Sequence, residues 1–428
     1  MYSRLLEWKN SKDRRPLMLL GARQVGKTWI MRHFGEQEYS KVVYVNCDDE
    51  PRMKQIFDLD YDIERILTTL QAITGQKATP GDTLIVLDEI QEVPRGLHSL
   101  KYFCEKAPEY HVMVAGSLLG VTLGGGESFP VGKVDMLYMY PMDYEEFLEA
   151  TGHGEWIGLL HSHDWPLVDA LLPKLVELLR QYYYVGGMPG VVGRYVENRD
   201  LKQVRTLQHE ILDAYGRDIS KHTSAAESVR IRQVLASLPM QLAKESKKFV
   251  YGTVRKGSRA KDFELAIQWL LDAGIIYKVN RIREPRVPLK FYEDFDAFKL
   301  FLLDCGLLAC MADAPAAQML IGDNVFVEFK GAFTEQYVLQ QLLAVGLTPY
   351  YWSNAKTPAK IDFIVQQGSR LVPIEVKAEE NVRARSLSKF IKDNPGLKGL
   401  RLSMKGYANQ EWMENVPLVA IDAFFDQK

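Results

Sequence analysis

The chain holds 428 residues, enough for two to four domains of ordinary size, and its 47% hydrophobic and 25% charged residues exclude global disorder. Lys+Arg 53 against Asp+Glu 55 leaves a formal charge of −2, so attraction to nucleic acid or an anionic surface must come from a local patch. The four cysteines, Cys47, Cys104, Cys305 and Cys310, form neither CxxC pairs nor zinc-like spacing, and they read as reduced thiols. The charged N-terminal stretch and the lack of a run of about 18 apolar residues predict a soluble cytoplasmic protein with no membrane partner.

Short apolar runs alternate with longer mixed segments up to about residue 142, which predicts an α/β fold with a parallel sheet. Strands are expected near 17–20, 42–46, 84–87, 112–115 and 137–140. Between about 145 and 230 the strand signal disappears and apolar residues recur at helical spacing, which reads as a helical lid or spacer. Helices and then a hairpin, 275–281 with 287–291 turned through Glu284-Pro285, suggest a winged helix. The remainder reads as a compact α/β unit with a helix near 334–343 and strands at 350–352, 361–366 and 371–376. The expected division is a core over 1–145, a helical lid over 146–230, a winged-helix domain over 231–292 and an α/β domain over 293–428.

Gly21-Ala22-Arg23-Gln24-Val25-Gly26-Lys27-Thr28 is a complete GxxxxGKT between an apolar strand and a helix. The two glycines let backbone N–H groups turn onto phosphate oxygens, and the following helix adds the positive end of its dipole. Lys27 is placed to reach the β- and γ-phosphates, and the Thr28 hydroxyl to ligate Mg²⁺. Leu84-Ile85-Val86-Leu87-Asp88-Glu89 is an apolar strand ending in two acids. Alone the pair reads as a helix cap; beside a phosphate loop, Asp88 is expected to hold Mg²⁺ through water and Glu89 to orient or deprotonate the attacking water. Ser117, after the next strand, is read either as a γ-phosphate sensor or as a turn serine.

The chain resembles the AAA-type P-loop ATPases, specifically a prokaryotic group whose C-terminal region is a domain of unknown function. The resemblance rests on GARQVGKT, YVNCDDE, LIVLDEIQEVP, VAGSLLG, YPMDYEEFL and YVGGMPGVV. It implies ATP as ligand, Mg²⁺ as cofactor and an oligomerising core that hydrolyses ATP to ADP. One departure is Gly132-Lys133, where the family often has Gly-Arg; Arg194 and Arg217 are read either as substitutes for an arginine completing a neighbour's site or as surface or salt-bridge residues.

Two further constellations stand outside the nucleotide site. Seven basic residues between Lys244 and Lys261 face Glu245 alone, and Arg255, Lys256, Arg259 and Lys261 are read as a DNA contact or as a solvated face. Ser258 is expected to cap a helix running to about residue 273. Near the C-terminus, Asp362 in one strand, Glu375-Val376-Lys377 at the end of the next and Glu335 on a preceding helix resemble the PD-(D/E)xK nuclease core. That likeness implies a second Mg²⁺ or Mn²⁺ at Glu335, Asp362 and Glu375, with Lys377 activating water. The alternative is an inactive relative that serves as a nucleotide-gated module binding DNA or protein. His153, His161 and His163 near Asp164, the tyrosines at 182–184 and the Cys305/Cys310 pair are read as loop or packing residues.

Overall fold

The computed structural model describes residues 1–117, 130–321, 327–354, 359–378 and 384–426. They fall into two compact units, Met1–Met139 with Asp272–Gly274, and Tyr140–Leu271 with Ile275–Lys428. The division expected from sequence is finer than these two units.

The first unit is a parallel sheet between helices. Strands β1 (Leu17–Gly21), β2 (Lys41–Asn46), β3 (Thr83–Asp88), β4 (His111–Ser117) and β5 (Asp135–Tyr138) lie in the order β2-β3-β4-β1-β5, each pair parallel. Central strands of such a sheet are covered on both faces, which is why β1 and β3 read as unbroken apolar runs and are buried throughout. Period-two alternation divides their side chains. Met18, Leu20, Ile85 and Leu87 meet Phe57 of α3 (Pro51–Leu59), Leu70 of α4 (Ile63–Thr74) and Phe103 of α5 (Pro94–Lys106). Leu17, Leu19, Leu84 and Val86 meet Leu5 and Trp8 of α1 (Tyr2–Asn10) and Met31 and Phe34 of α2 (Lys27–Glu38). The carboxyl ends of β1 and β3, where a crevice is expected, bear the phosphate loop and the acidic pair.

The second unit begins with helices alone: α6 (Tyr144–Ala150), α7 (Glu155–Ser162), α8 (Trp165–Val185), α9 (Pro189–Asn198), α10 (Leu201–His222) and α11 (Ala225–Ala243). Helix α6 opens with a capping box between Asp143 and Glu146. After α12 (Tyr251–Val254) and α13 (Glu264–Asp272) come β6 (Ile276–Ile282), β7 (Glu293–Leu302), α14 (Cys305–Met311), α15 (Ala316–Ile321) and α16 (Val327–Ala344). Then follow β8 (Tyr350–Ser353), β9 (Lys360–Gln367), β10 (Arg370–Val376), α17 (Arg385–Asp393), β11 (Gly399–Ser403), β12 (Ala408–Asn409), β13 (Met413–Pro417) and α18 (Ile421–Phe425). The sheet order is β12-β13-β11-β10-β9-β8-β6-β7.

This topology corrects the hairpin on which the winged-helix expectation rested. Strand β6 pairs antiparallel with β7, not with residues 287–291, and it also pairs with β8 through Arg281 and Tyr351. The hairpin is therefore two strands of the C-terminal sheet, and the expected boundary at 292/293 falls inside it. Pro285 and Pro288 supply the reason: neither has an N–H to give to a ladder, so the chain makes a short 3₁₀ turn at Leu289–Tyr292 before pairing resumes. Ser258 does not cap a long helix either. A 3₁₀ turn at Ala260–Asp262, closed by Arg259 N–H donating to Asp262 at 2.8 Å, intervenes before α13.

Candidate nucleotide site and the buried charge cluster

The phosphate loop has the backbone that its glycines predict. Gly26 lies at φ 93°, the left-handed region that favours glycine, and α2 starts at the next residue, Lys27. At Gly21 a side chain is excluded, because a Cβ would stand 2.4 Å from the Met139 carbonyl oxygen. The Lys27 ammonium folds over the loop and donates to the Gly21 and Ala22 carbonyls at 3.0 and 2.8 Å. Burial pulls its pKa down to about 8, against the opposing charges of Glu89 and Asp88.

Asp88 ends β3 beside that loop and is buried. Its Oδ2 accepts from the Thr28 hydroxyl at 2.6 Å and from the Tyr44 hydroxyl at 3.0 Å, while Oδ1 accepts from the Glu89 N–H at 3.0 Å. Tyr44 was not singled out from sequence. Its place on β2, paired in register with Val86 two residues before Asp88, is the signal that would have found it. Glu89 has φ 51°, and its carboxylate accepts from the Gln91 amide. Thr28 and Asp88 thus bring a hydroxyl and a carboxylate together, the hard oxygen donors that Mg²⁺ takes. Ser117 ends β4 in register with Gly21, which puts its backbone at the level of the phosphate loop.

Of the basic residues considered for a neighbour's site, Lys133 pairs with Glu105 at 2.9 Å and Arg194 with Glu197 at 3.0 Å, while Arg217 is exposed on α10. Arg255, Lys256, Arg259 and Lys261 are all exposed, on the turns before α13 and not on a helix. The histidines stay apart: His153 bonds to the Thr151 hydroxyl at 3.2 Å, His161 to Glu145 at 3.0 Å and His163 to the Ala423 carbonyl at 3.1 Å.

In the second unit Glu335 lies on α16, Asp362 on β9 and Glu375 on β10, all three buried, with Lys377 just after β10. Their oxygens are already engaged. Glu335 pairs through Oε1 with Lys247 and through Oε2 with Lys299 at 3.2 Å. Lys247 also donates to the Gly331 carbonyl at 2.9 Å, and Lys299 to the Asp362 carbonyl at 3.3 Å. Asp362 Oδ2 accepts from the Val376 N–H at 3.0 Å; Glu375 accepts from the Leu387 N–H at 3.0 Å and pairs with Lys377 at 2.6 Å. Burial works against ionisation of Glu335, but the charges of Lys247, Lys299 and Lys360 outweigh it and hold its carboxyl well below the usual range. Burial raises the Glu375 pKa, with Lys377 opposing.

The three carboxylates do not form the expected metal site. Among the described residues no group of three or more His, Cys, Asp and Glu is placed to hold a metal ion. The counter-charge comes instead from two buried lysines that the sequence reading missed. Lys299, only 1% exposed, had a signal: a lone cation inside the apolar run Ala297-Phe298-Lys299-Leu300-Phe301-Leu302. Lys247, among other lysines, had none.

Residues 13–148 match the AAA domain, residues 176–318 a domain of unknown function (DUF8612) and residues 330–424 a second domain of unknown function (DUF4143). No curated protein sequence matches the chain. Among solved structures, the Walker-type ATPase of Pyrococcus abyssi is similar at 14% identity and TM-score 0.46, over 73% of this chain and 94% of that one. The Aeropyrum pernix ORC1 protein in complex with DNA is similar at 14% identity and TM-score 0.28, over 74% and 92%. The replication initiator DnaA bound to AMPPCP and single-stranded DNA is similar at 14% identity and TM-score 0.27, over 63% and 86%. Among the described residues no helix is long and apolar enough to cross a membrane. The match over residues 13–148 makes the segment that bears the phosphate loop an AAA-type P-loop domain.

Proposed function

We propose that the first unit binds ATP with Mg²⁺ and hydrolyses it to ADP and phosphate. The observation that carries this reading is the meeting of Lys27, Thr28 and Asp88: a loop lysine resting on its own carbonyls and a hydroxyl 2.6 Å from the carboxylate at the end of β3. Thr28 and Asp88 would hold Mg²⁺, which would supply charge neutralisation at the phosphates. Lys27 leaves the Gly21 and Ala22 carbonyls for phosphate oxygens, the N–H groups of the loop close around them, and Glu89 takes the proton of the attacking water. Lys27→Ala tests the assignment: the folded variant is expected to lose ATP turnover, and normal turnover sinks it.

The C-terminal region is proposed as a binding module coupled to the nucleotide state, for a DNA or protein partner, and not as a working nuclease. The lysines bonded to Glu335 favour this choice, because its charge is already met by two buried ammonium groups, and a second Mg²⁺ or Mn²⁺ would be repelled by those cations or have to displace them. The exposed Arg255, Lys256, Arg259 and Lys261 are kept as a proposed DNA contact. Oligomerisation of the AAA-type segment is likewise proposed, with no arginine assigned to a neighbour's site.

A further inference from the structure

Helix α17 is amphipathic along its whole length. Leu387, Phe390 and Ile391 are buried in an apolar cluster with Ile361, Leu371 and Met413. The opposite face sets Arg385, Lys389 and Lys392, all exposed, at positions i, i+4 and i+7. With a rise of about 1.5 Å per residue their Cα atoms lie about 6 and about 4.5 Å apart along the axis, on one side of the helix. They form a line of charge. None of the three makes an ion pair among the described residues, whereas the half-buried Lys398 nearby pairs with Glu414 at 2.6 Å.

This face borders a cavity of about 570 Å³ whose other side is built by Arg401, Gln410 and Trp412. Arg401, on β11, is half-buried and fixed by its Nε donating to the Asn415 Oδ1 at 2.7 Å. Trp412 is half-buried, so part of the indole packs on the apolar cluster and part lines the cavity. Gln410 brings an amide with both donor and acceptor to the rim. Against four cations the cavity lining contains one carboxylate, Asp393. Glu375 holds the whole arrangement in place, since it accepts the Leu387 N–H in the first turn of α17.

We propose that this groove binds a single strand of nucleic acid, with phosphates along Arg385, Lys389 and Lys392 and a base against Trp412. Cations in a row beside an aromatic platform are the two parts that single-strand binding requires. The cavity volume suits one or two nucleotides, and a duplex would need a wider surface. An acidic peptide would satisfy the cations but leave Trp412 and Gln410 without a task. The proposal rests on the reading of the C-terminal region as a binding module and adds to it a ligand class and a site separate from residues 255–261.

Fluorescence anisotropy of a labelled single-stranded oligonucleotide with the full chain tests it. Lys389→Ala with Lys392→Ala is expected to weaken binding about tenfold or more at low salt and to flatten the log–log salt slope by about 1.4, at about 0.7 per lost phosphate contact on a single strand. The paired arginine replacements at 389 and 392 restore binding. Trp412→Leu weakens it at least about fivefold with the salt slope unchanged. These side chains are exposed or half-buried, and an unchanged unfolding temperature verifies that each variant folds. Equal binding by the double alanine variant, no binding by the wild type at low salt, or equal displacement by polyglutamate of matched charge overturns the proposal. Cleavage of the strand in the presence of Mg²⁺ or Mn²⁺, lost in Asp362→Ala and Lys377→Ala, overturns the binding-module reading and leaves the groove to be decided by the same variants.

Discussion

Glu335→Gln separates a structural ion cluster from a catalytic carboxylate. The substitution keeps the shape of the side chain and removes the negative charge that faces Lys247 and Lys299, three groups exposed by only 4%, 7% and 1%. Removing one member of a buried ion pair typically costs about 3–5 kcal/mol, because the partner's charge stays buried without compensation. At about 2–4 °C per kcal/mol for a large domain, this is a fall in Tm of roughly 6–20 °C. The pH dependence has a definite sign. The Glu335 carboxyl is held below its unfolded value, so its contribution in the wild type is complete above about pH 4.5 and is lost as the pH falls. In the variant, Lys247 is already pushed down by burial and gives up its proton more readily, so the deficit shrinks as the pH rises. Thermal unfolding followed by circular dichroism at several pH values measures both effects. A deficit below about 1 kcal/mol at neutral pH, or a gain in stability, would refute the reasoning, since a carboxylate kept for chemistry at the expense of stability behaves in that way.

Glu89→Gln is expected to retain ATP binding and to slow hydrolysis by about two to four orders of magnitude, the usual contribution of a general base, in a phosphate-release assay; an unchanged kcat removes Glu89 from that role. Lys27, held near pH 8 in the free fold, regains its charge against phosphate, so ATP affinity falls by up to about tenfold per pH unit above 8 and binding takes up a proton there. Calorimetry near pH 9 in buffers of different ionisation heat reads this uptake, and none is found if Lys27 does not move to the phosphates. The same depressed pKa means that the unfolded chain binds more protons between about 8 and 10.5, so the stability contributed by this group rises with pH in that window. Neutralising Arg255, Lys256, Arg259 and Lys261 together is expected to weaken duplex DNA binding and reduce its salt slope; equal binding leaves them as a solvated face.

What could be read from sequence was what local patterns encode. The phosphate loop is eight consecutive residues, and each duty proposed for it follows from residue type and spacing. The five strands of the first unit follow from apolar runs that must be covered on both faces, and only their ends were displaced by a residue or two. Asp88 and Glu89 needed one long-range step, the rule that strand ends meet at the crevice of a parallel sheet. Tyr44 needed the register of β2 on β3, which no single-strand pattern carries.

The C-terminal half failed at that same step. Its acids were found from Asp362 and the Glu375/Lys377 pair, but their chemistry depends on Lys247 and Lys299, which reach Glu335 from 88 and 36 residues away. A carboxylate seen without its partners looks like a metal ligand, because an unsatisfied buried charge demands a cation of some kind. Sequence showed that demand; only the fold could show that ammonium groups meet it. The partner of β6 escapes the sequence for a related reason. A hairpin is a local feature, but the sheet to which it belongs is not, and β6 joins strands that begin about seventy residues later in the chain. Helix α17 has the opposite character. Its cations at i, i+4 and i+7 are plain in the sequence, yet they acquire meaning only when Arg401 and Trp412 come to face them across one cavity.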